Sequence, residues 1–192
     1  MNLAVVALAF LWGWAEATWF FVVPDLWLTF AVFWGRSTAM SAVLAALAGS
    51  LAGAVHFFWL DETSRQLLQQ WWQVTPGYAP SMAGAIAQHL QWGPAGLCHG
   101  PWLGIPYRYY LGQAHTLQFP LLSVCLWTLW ARLPRLILAP LVAGAFYSLL
   151  RAQSAQLGLS DNWKRPLALL FASVWVAIYV DYWFFYVPKT YS

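Results

Sequence analysis

Between Thr38 and Leu60 the chain runs for 23 residues without an acidic or basic side chain other than His56. As a helix that run measures about 34 Å, close to the hydrocarbon thickness of a bilayer. A second run, Leu167 to Val187, carries Asp181 as its one charge. Both read as membrane spans, and the composition agrees: 61% of the 192 residues are hydrophobic and 8% charged, where a soluble domain has roughly 25% charged. An ordinary water-soluble domain is thereby excluded, and the length allows a single membrane-embedded bundle over residues 1–192.

Charge and cysteine narrow the reading further. The net charge of +3 is scattered over nine basic and six acidic residues, so no tract forms a nucleic-acid surface, and attraction to anionic lipid is the milder expectation. Cys98 and Cys125 make neither a disulfide framework nor a C-x-x-C motif. The apolar opening from Leu3 to Val23 lacks a basic leader and a small-residue cleavage site, so it is expected to remain as structure.

Between the two clean spans the pattern breaks. Leu3 to Val23 contains Glu16 and ends at Pro24-Asp25, and Leu26 to Trp34 is too short to cross. Gly93 to His115 is apolar yet holds five glycines and three prolines, Gly104 and Pro106 among them. Broken backbone at membrane depth has to be buried against protein or water, which points to re-entrant segments. The polar stretch from Asp61 to Tyr78 reads as an amphipathic connection, and Ser81 as the cap of a short helix reaching Trp92. Thr116 to Leu150, with Arg132 and Arg135 around Leu133-Pro134, reads either as two short helices about a break or as one tilted helix. Arg151 to Arg165 reads as an exposed connection. Within the first span Gly49 and Gly53 form a small-xxx-small pair suited to close helix packing.

The charged residues inside these broken regions are the candidate site. An ionised Glu16 in an apolar run is costly unless it faces protein or water. Glu16 and Asp25, close together, would favour proton uptake by one of them. The plainer alternatives are a helix cap for Asp25 and an ion pair for Glu16. Arg108, Arg132 and Arg135 offer planar forks suited to a phosphate, or, more plainly, topology anchors and an internal ion pair. Asp181 reads as an interfacial residue. His89, His99 and His115 do not match a metal motif, Ser37, Ser41 and Ser50 lack a nucleophile-elbow setting, and no phosphate-binding loop is present. No metal and no cofactor is expected.

The segment GIPYRYY, Gly104 to Tyr110, followed by ARLPR, Ala131 to Arg135, resembles the DedA family, also called SNARE-associated or VTT-domain membrane proteins, and is nearest its small YqaA-like branch. Glu16 matches that family's early acid, Asp25 its acid after a proline, Arg108 its basic residue after a Pro-Tyr turn, and Arg132 with Arg135 its later arginine pair. The resemblance covers roughly residues 8–150, with a further transmembrane helix over about 167–187. It departs at Ala131, where a Gly is usual, at Arg108 in place of Lys, and in having one proline at the first break. What it implies is an all-α membrane protein, a helical bundle with two opposed re-entrant helical hairpins, in the bacterial inner membrane. The implied activity is transport or scrambling of a phosphate-bearing lipid, a phospholipid or polyprenyl-phosphate, possibly proton-coupled, with Glu16 and Asp25 as proton-responsive acids and Arg108, Arg132 and Arg135 on the phosphate. Self-association into a homo-oligomer is compatible with it. A membrane scaffold or assembly factor and a membrane-embedded lipid phosphate hydrolase are the alternative functions.

Overall fold

The computed structural model describes residues 1–156 and 163–191, and among them every regular element is helical. The order is α1 Leu3–Thr18, α2 Asp25–Ala31 with a 3-10 turn Val32–Trp34, α3 Arg36–Trp59, α4 Glu62–Gln73, α5 Met82–Leu90, a 3-10 stretch Pro94–His99, α6 Gly100–Leu103, α7 Tyr107–Thr116, α8 Leu121–Gln156, α9 Lys164–Asp181, a π-helical turn Tyr182–Tyr186 and α10 Val187–Tyr191. Three stretches are long and apolar enough to cross a membrane: Arg36–Trp59, Leu121–Ser154 and Lys164–Tyr191.

The first two helices form a hairpin against α3. α1 and α3 run in the same direction, since Asn2 N donates to Thr38 Oγ1 at 3.2 Å near their starts and Gly53 lies on Ala17 near their ends. α2 runs back along α1, with Trp27 Nε1 bonded to Val5 O at 3.0 Å. Close approach of α1 and α3 depends on small residues. A Cβ on Gly49 would stand 2.0 Å from Phe10 O, and one on Gly13 2.1 Å from Ala46 O. The expected small-xxx-small pair thus makes this contact, with Gly13 as its counterpart on α1.

α1 stops where its last carbonyls find partners outside the helix. Trp72 Nε1 donates to Thr18 O at 2.6 Å and Trp71 Nε1 to Trp19 O at 3.2 Å, both from α4. These indoles satisfy carbonyls that would otherwise be orphaned in an apolar setting. The second half repeats the turn-back. α7 follows the break at Gly104-Ile105-Pro106, and α8 returns beside it so that Thr128 meets Tyr107. Gly104 takes φ +69°, a left-handed conformation that closes α6 without a Cβ penalty.

Residues 121–156 form one helix through Pro134 and Pro140, so of the two arrangements the sequence allows the single helix is the one adopted, about 54 Å long at 1.5 Å per residue. The prolines leave the carbonyls of Trp130 and Leu136 without their helical donors. Asp25 does not cap α2, because its carboxylate is drawn to Arg135 instead. Ser81 does not cap α5, because its hydroxyl bonds to Tyr191 O. The expected connection over Arg151 to Arg165 is helical to Gln156, and residues 157–162 lie outside the described residues.

Two apolar cores sit at opposite ends of the bundle. The end that holds Asn2, here the proximal end, packs Ala9, Leu28, Ala42 and Leu136. The distal end packs Phe57, Trp72, Leu90, Tyr110 and Leu111. The polar residues lie where these cores meet.

Candidate functional site

Glu16 sits in the last turn of α1, and Asp25 is the first residue of α2. A cavity of about 600 Å³ opens beside them, bordered by Arg108 of α7, Arg132 and Arg135 of α8, the second break at Gly104–Pro106, and one face of α9. Residues separated by more than a hundred positions in sequence therefore converge on one space. Pro24 is the N-cap residue of α2 and shapes the first break without bordering the cavity.

Two arginines hold the acids. Arg132 Nη2 approaches Glu16 Oε2 at 2.5 Å, both side chains buried, and Arg135 Nε approaches Asp25 Oδ2 at 3.3 Å. Beyond this ion pair the buried Glu16 Oε2 has no hydrogen-bond partner. Arg132 also lies over the Tyr107 ring at 4.6 Å, and that phenol is fixed by Thr128 at 2.5 Å. A buried pair of this kind is costly to desolvate and far costlier to half-remove.

Arg108 is differently placed. It is 1% exposed, and no ion pair to a carboxylate is found for it among the described residues. Nη1 donates to Phe20 O at 3.1 Å, and Nη2 to Thr75 Oγ1 and to Tyr109 Oη, each at 3.0 Å. Its Nε is buried without a partner. Neutral oxygens thus surround a full positive charge on a residue that borders the cavity, an arrangement that leaves electrostatic room for an anion. Through Phe20 the same side chain ties the first break to the second.

The cavity balances three arginines against Glu16, Asp25 and Asp181. Asp181 is exposed at its border, as an interfacial residue would be. Among the described residues no group of three His, Cys, Asp or Glu side chains is placed to hold a metal, and both cysteines are unpaired.

Sequence reasoning missed the residues that orient the charges. Thr75, Tyr109, Trp72, Tyr107 and Thr128 carry ordinary sequence contexts, and Tyr107 and Tyr109 alone had a signal, as neighbours of Arg108 within GIPYRYY. Tyr179 and Tyr182 carry no signal beyond their place beside Asp181, yet Val23 N donates to Tyr179 Oη at 2.8 Å and Tyr182 Oη donates to Gly104 O at 2.5 Å. No family model, curated protein or solved structure matches this chain.

Proposed function

We propose that this chain moves or scrambles a phosphate-bearing lipid across a bilayer, with the two helical hairpins entering the membrane from opposite ends as re-entrant elements and their breaks forming the polar passage. The observation that carries the reading is Arg108, a buried cation on a residue bordering the cavity with only neutral partners, beside two further arginines paired with Glu16 and Asp25. A phosphate entering there exchanges its water for arginine forks, while its acyl or isoprenoid tail stays in hydrocarbon. The unpaired phosphate charge is never buried alone. The DedA-type resemblance of GIPYRYY and ARLPR supports the same reading, because its acids and arginines are the ones that border this cavity.

The test is headgroup translocation in proteoliposomes carrying a fluorescent phospholipid, with a phosphate-free lipid as control. The native protein is expected to accelerate movement of the phospholipid and not of the control. Arg108→Gln is expected to slow it about tenfold or more, the worth of a lost charge-assisted contact. Equal rates in empty and protein-containing vesicles reject transport.

A further inference from the structure

The last helical stretch, Lys164–Tyr191, is only lightly buried. In its most apolar window 11% of residues are buried, against 17% for α8 and 56% for α3. Leu167 and Phe171 seat its start in the proximal core and Val187 its end in the distal core, whereas its side-chain hydrogen bonds lie along one aromatic edge and reach mostly the backbone at or beside the two breaks. At the first break, Tyr179 Oη accepts from Val23 N at 2.8 Å, and Trp175 Nε1 donates to Thr29 Oγ1 at 3.1 Å just beyond it. At the second break, Tyr182 Oη donates to Gly104 O at 2.5 Å, and both Tyr186 and Tyr191 donate to Leu103 O at 2.9 Å.

Local geometry is shaped for this contact. The helix widens into a π turn over Tyr182–Tyr186, and the two end rings stack at 6.0 Å over the second break. π turns re-phase a helix, which here keeps Tyr182 and Tyr186 on one face. The rings lie against glycines in left-handed backbone: a Cβ on Gly104 would be 3.1 Å from Tyr186, and one on Gly77 2.8 Å from Tyr182. Broken backbone in an apolar medium needs such donors and acceptors. The same residues, Trp175, Tyr179, Tyr182 and Tyr186, wall the cavity on its α9 side.

We propose that α9 and its π turn are a removable side wall of the cavity, latched by Tyr179, Tyr182, Tyr186 and Tyr191, and that release of this latch opens the cavity sideways to bilayer lipid. The entering ligand is a lipid that brings its headgroup in from the hydrocarbon side, so the inference rests on the lipid-carrier reading. It deepens that reading by assigning the entry route.

The experiment reads the opening without needing transport. Leu136, 1% exposed and bordering the cavity, is replaced by Cys in a background where Cys98 and Cys125 are Ser. Labelling of full-length protein in liposomes is timed with a lipid-soluble maleimide and with a charged, membrane-impermeant one. Tyr182→Phe with Tyr186→Phe keeps both rings and removes two bonds, and Tyr191→Phe tests the third. The lipid-soluble reagent is expected to react faster by about fivefold for each bond lost, with the charged reagent unchanged and Tyr147→Phe, outside the latch, at the native rate. Unaltered labelling in the Tyr→Phe variants, or acceleration with the charged reagent alone, overturns the side-wall proposal. Faster labelling of a protein that moves no lipid would sink the carrier reading and leave the latch standing.

Discussion

Glu16 and Arg132 show how much a single buried charge constrains its partner. Glu16→Gln leaves the Arg132 guanidinium buried beside Tyr107 with no full counter-charge, and is expected to destabilise the fold by about 3–5 kcal/mol. Adding Arg132→Met is expected to return most of that loss, since an apolar side chain of similar length needs no partner. Unfolding in mixed micelles with increasing denaturing detergent measures both. A single variant as stable as the native protein would mean that the pair contributes nothing. His89, outside the candidate spans, makes a different kind of prediction. Its Nδ1 lies 2.6 Å from Tyr110 Oη and its ring stacks on His99 at 4.8 Å. Burial, with His99 adding to it, holds His89 below the ordinary imidazole value of 6.5. The unfolded chain therefore binds a proton there before the folded one does, so stability is full above pH 6.5 and is lost as pH falls below it. Amide exchange over Met82–Leu90 is expected to quicken, after correction for intrinsic rate, between pH 7.5 and 5.5. His89→Gln should flatten the change, and an equal response in that variant would place its origin elsewhere.

At the scale of the helices, two glycines with opposite surroundings give a matched comparison. Gly49→Ala places a Cβ 2.0 Å from the Phe10 carbonyl, rigid backbone that cannot step aside. α1 and α3 must separate, at a cost of about 1–3 kcal/mol or more. Gly84, on α5, has nothing within 4 Å of where its Cβ would be. Gly84→Ala is expected to be neutral or stabilising by about 0.5–1 kcal/mol, from helix propensity. Thermal unfolding of the two variants side by side checks this, and a harmless Gly49→Ala would show the α1–α3 seam to be looser than its glycines imply. The seam was legible in sequence because small residues at four-residue spacing have few other reasons to recur in a span. The course of α8 was not legible. Pro134 and Pro140 allow either a break or a continuous helix, and packing against α2 and α3 decides between them.

Across the whole molecule, the path of the helices sorts the basic residues. α3 runs from the proximal to the distal end, α8 returns, and α9 runs out again. Arg36, Arg151, Lys164 and Arg165 consequently gather at the proximal end, whereas the distal end has Arg65 and Lys189 outside the cavity, with Arg65 paired to Glu62 at 2.7 Å. Along the sequence the same residues alternate and only weakly favour one face. By the preference of basic loops for the cytoplasmic side, the proximal end is expected to face the cytoplasm. Single cysteines at Asn2, Arg36 and Arg151 should then react with an impermeant reagent from one side of sealed vesicles, and those at Glu62, Gln88 and Lys189 from the other. Labelling of Asn2 and Arg36 from opposite sides would mean that α1 and α2 do not return to their starting face.

What the sequence determined unaided is the class of medium and the kinds of residue that cannot rest in it alone. The spans at Thr38–Leu60 and Leu167–Val187 follow from length and apolarity, and Glu16, Asp25, Arg108, Arg132 and Arg135 stand out because a charge in an apolar run has to find something. Which charge finds which was decided only by tertiary structure. The Glu16–Arg132 and Asp25–Arg135 pairs join residues more than a hundred positions apart, and the bonds from Arg108 to Thr75 and Phe20 and from the tyrosine edge of α9 span 33 to 156 positions. Those contacts depend on how α1, α2, α7, α8 and α9 pack together. Hydrophobic periodicity fixes each helix's local shape, but the pairing of its polar groups is set by which neighbours close packing brings within about 3 Å.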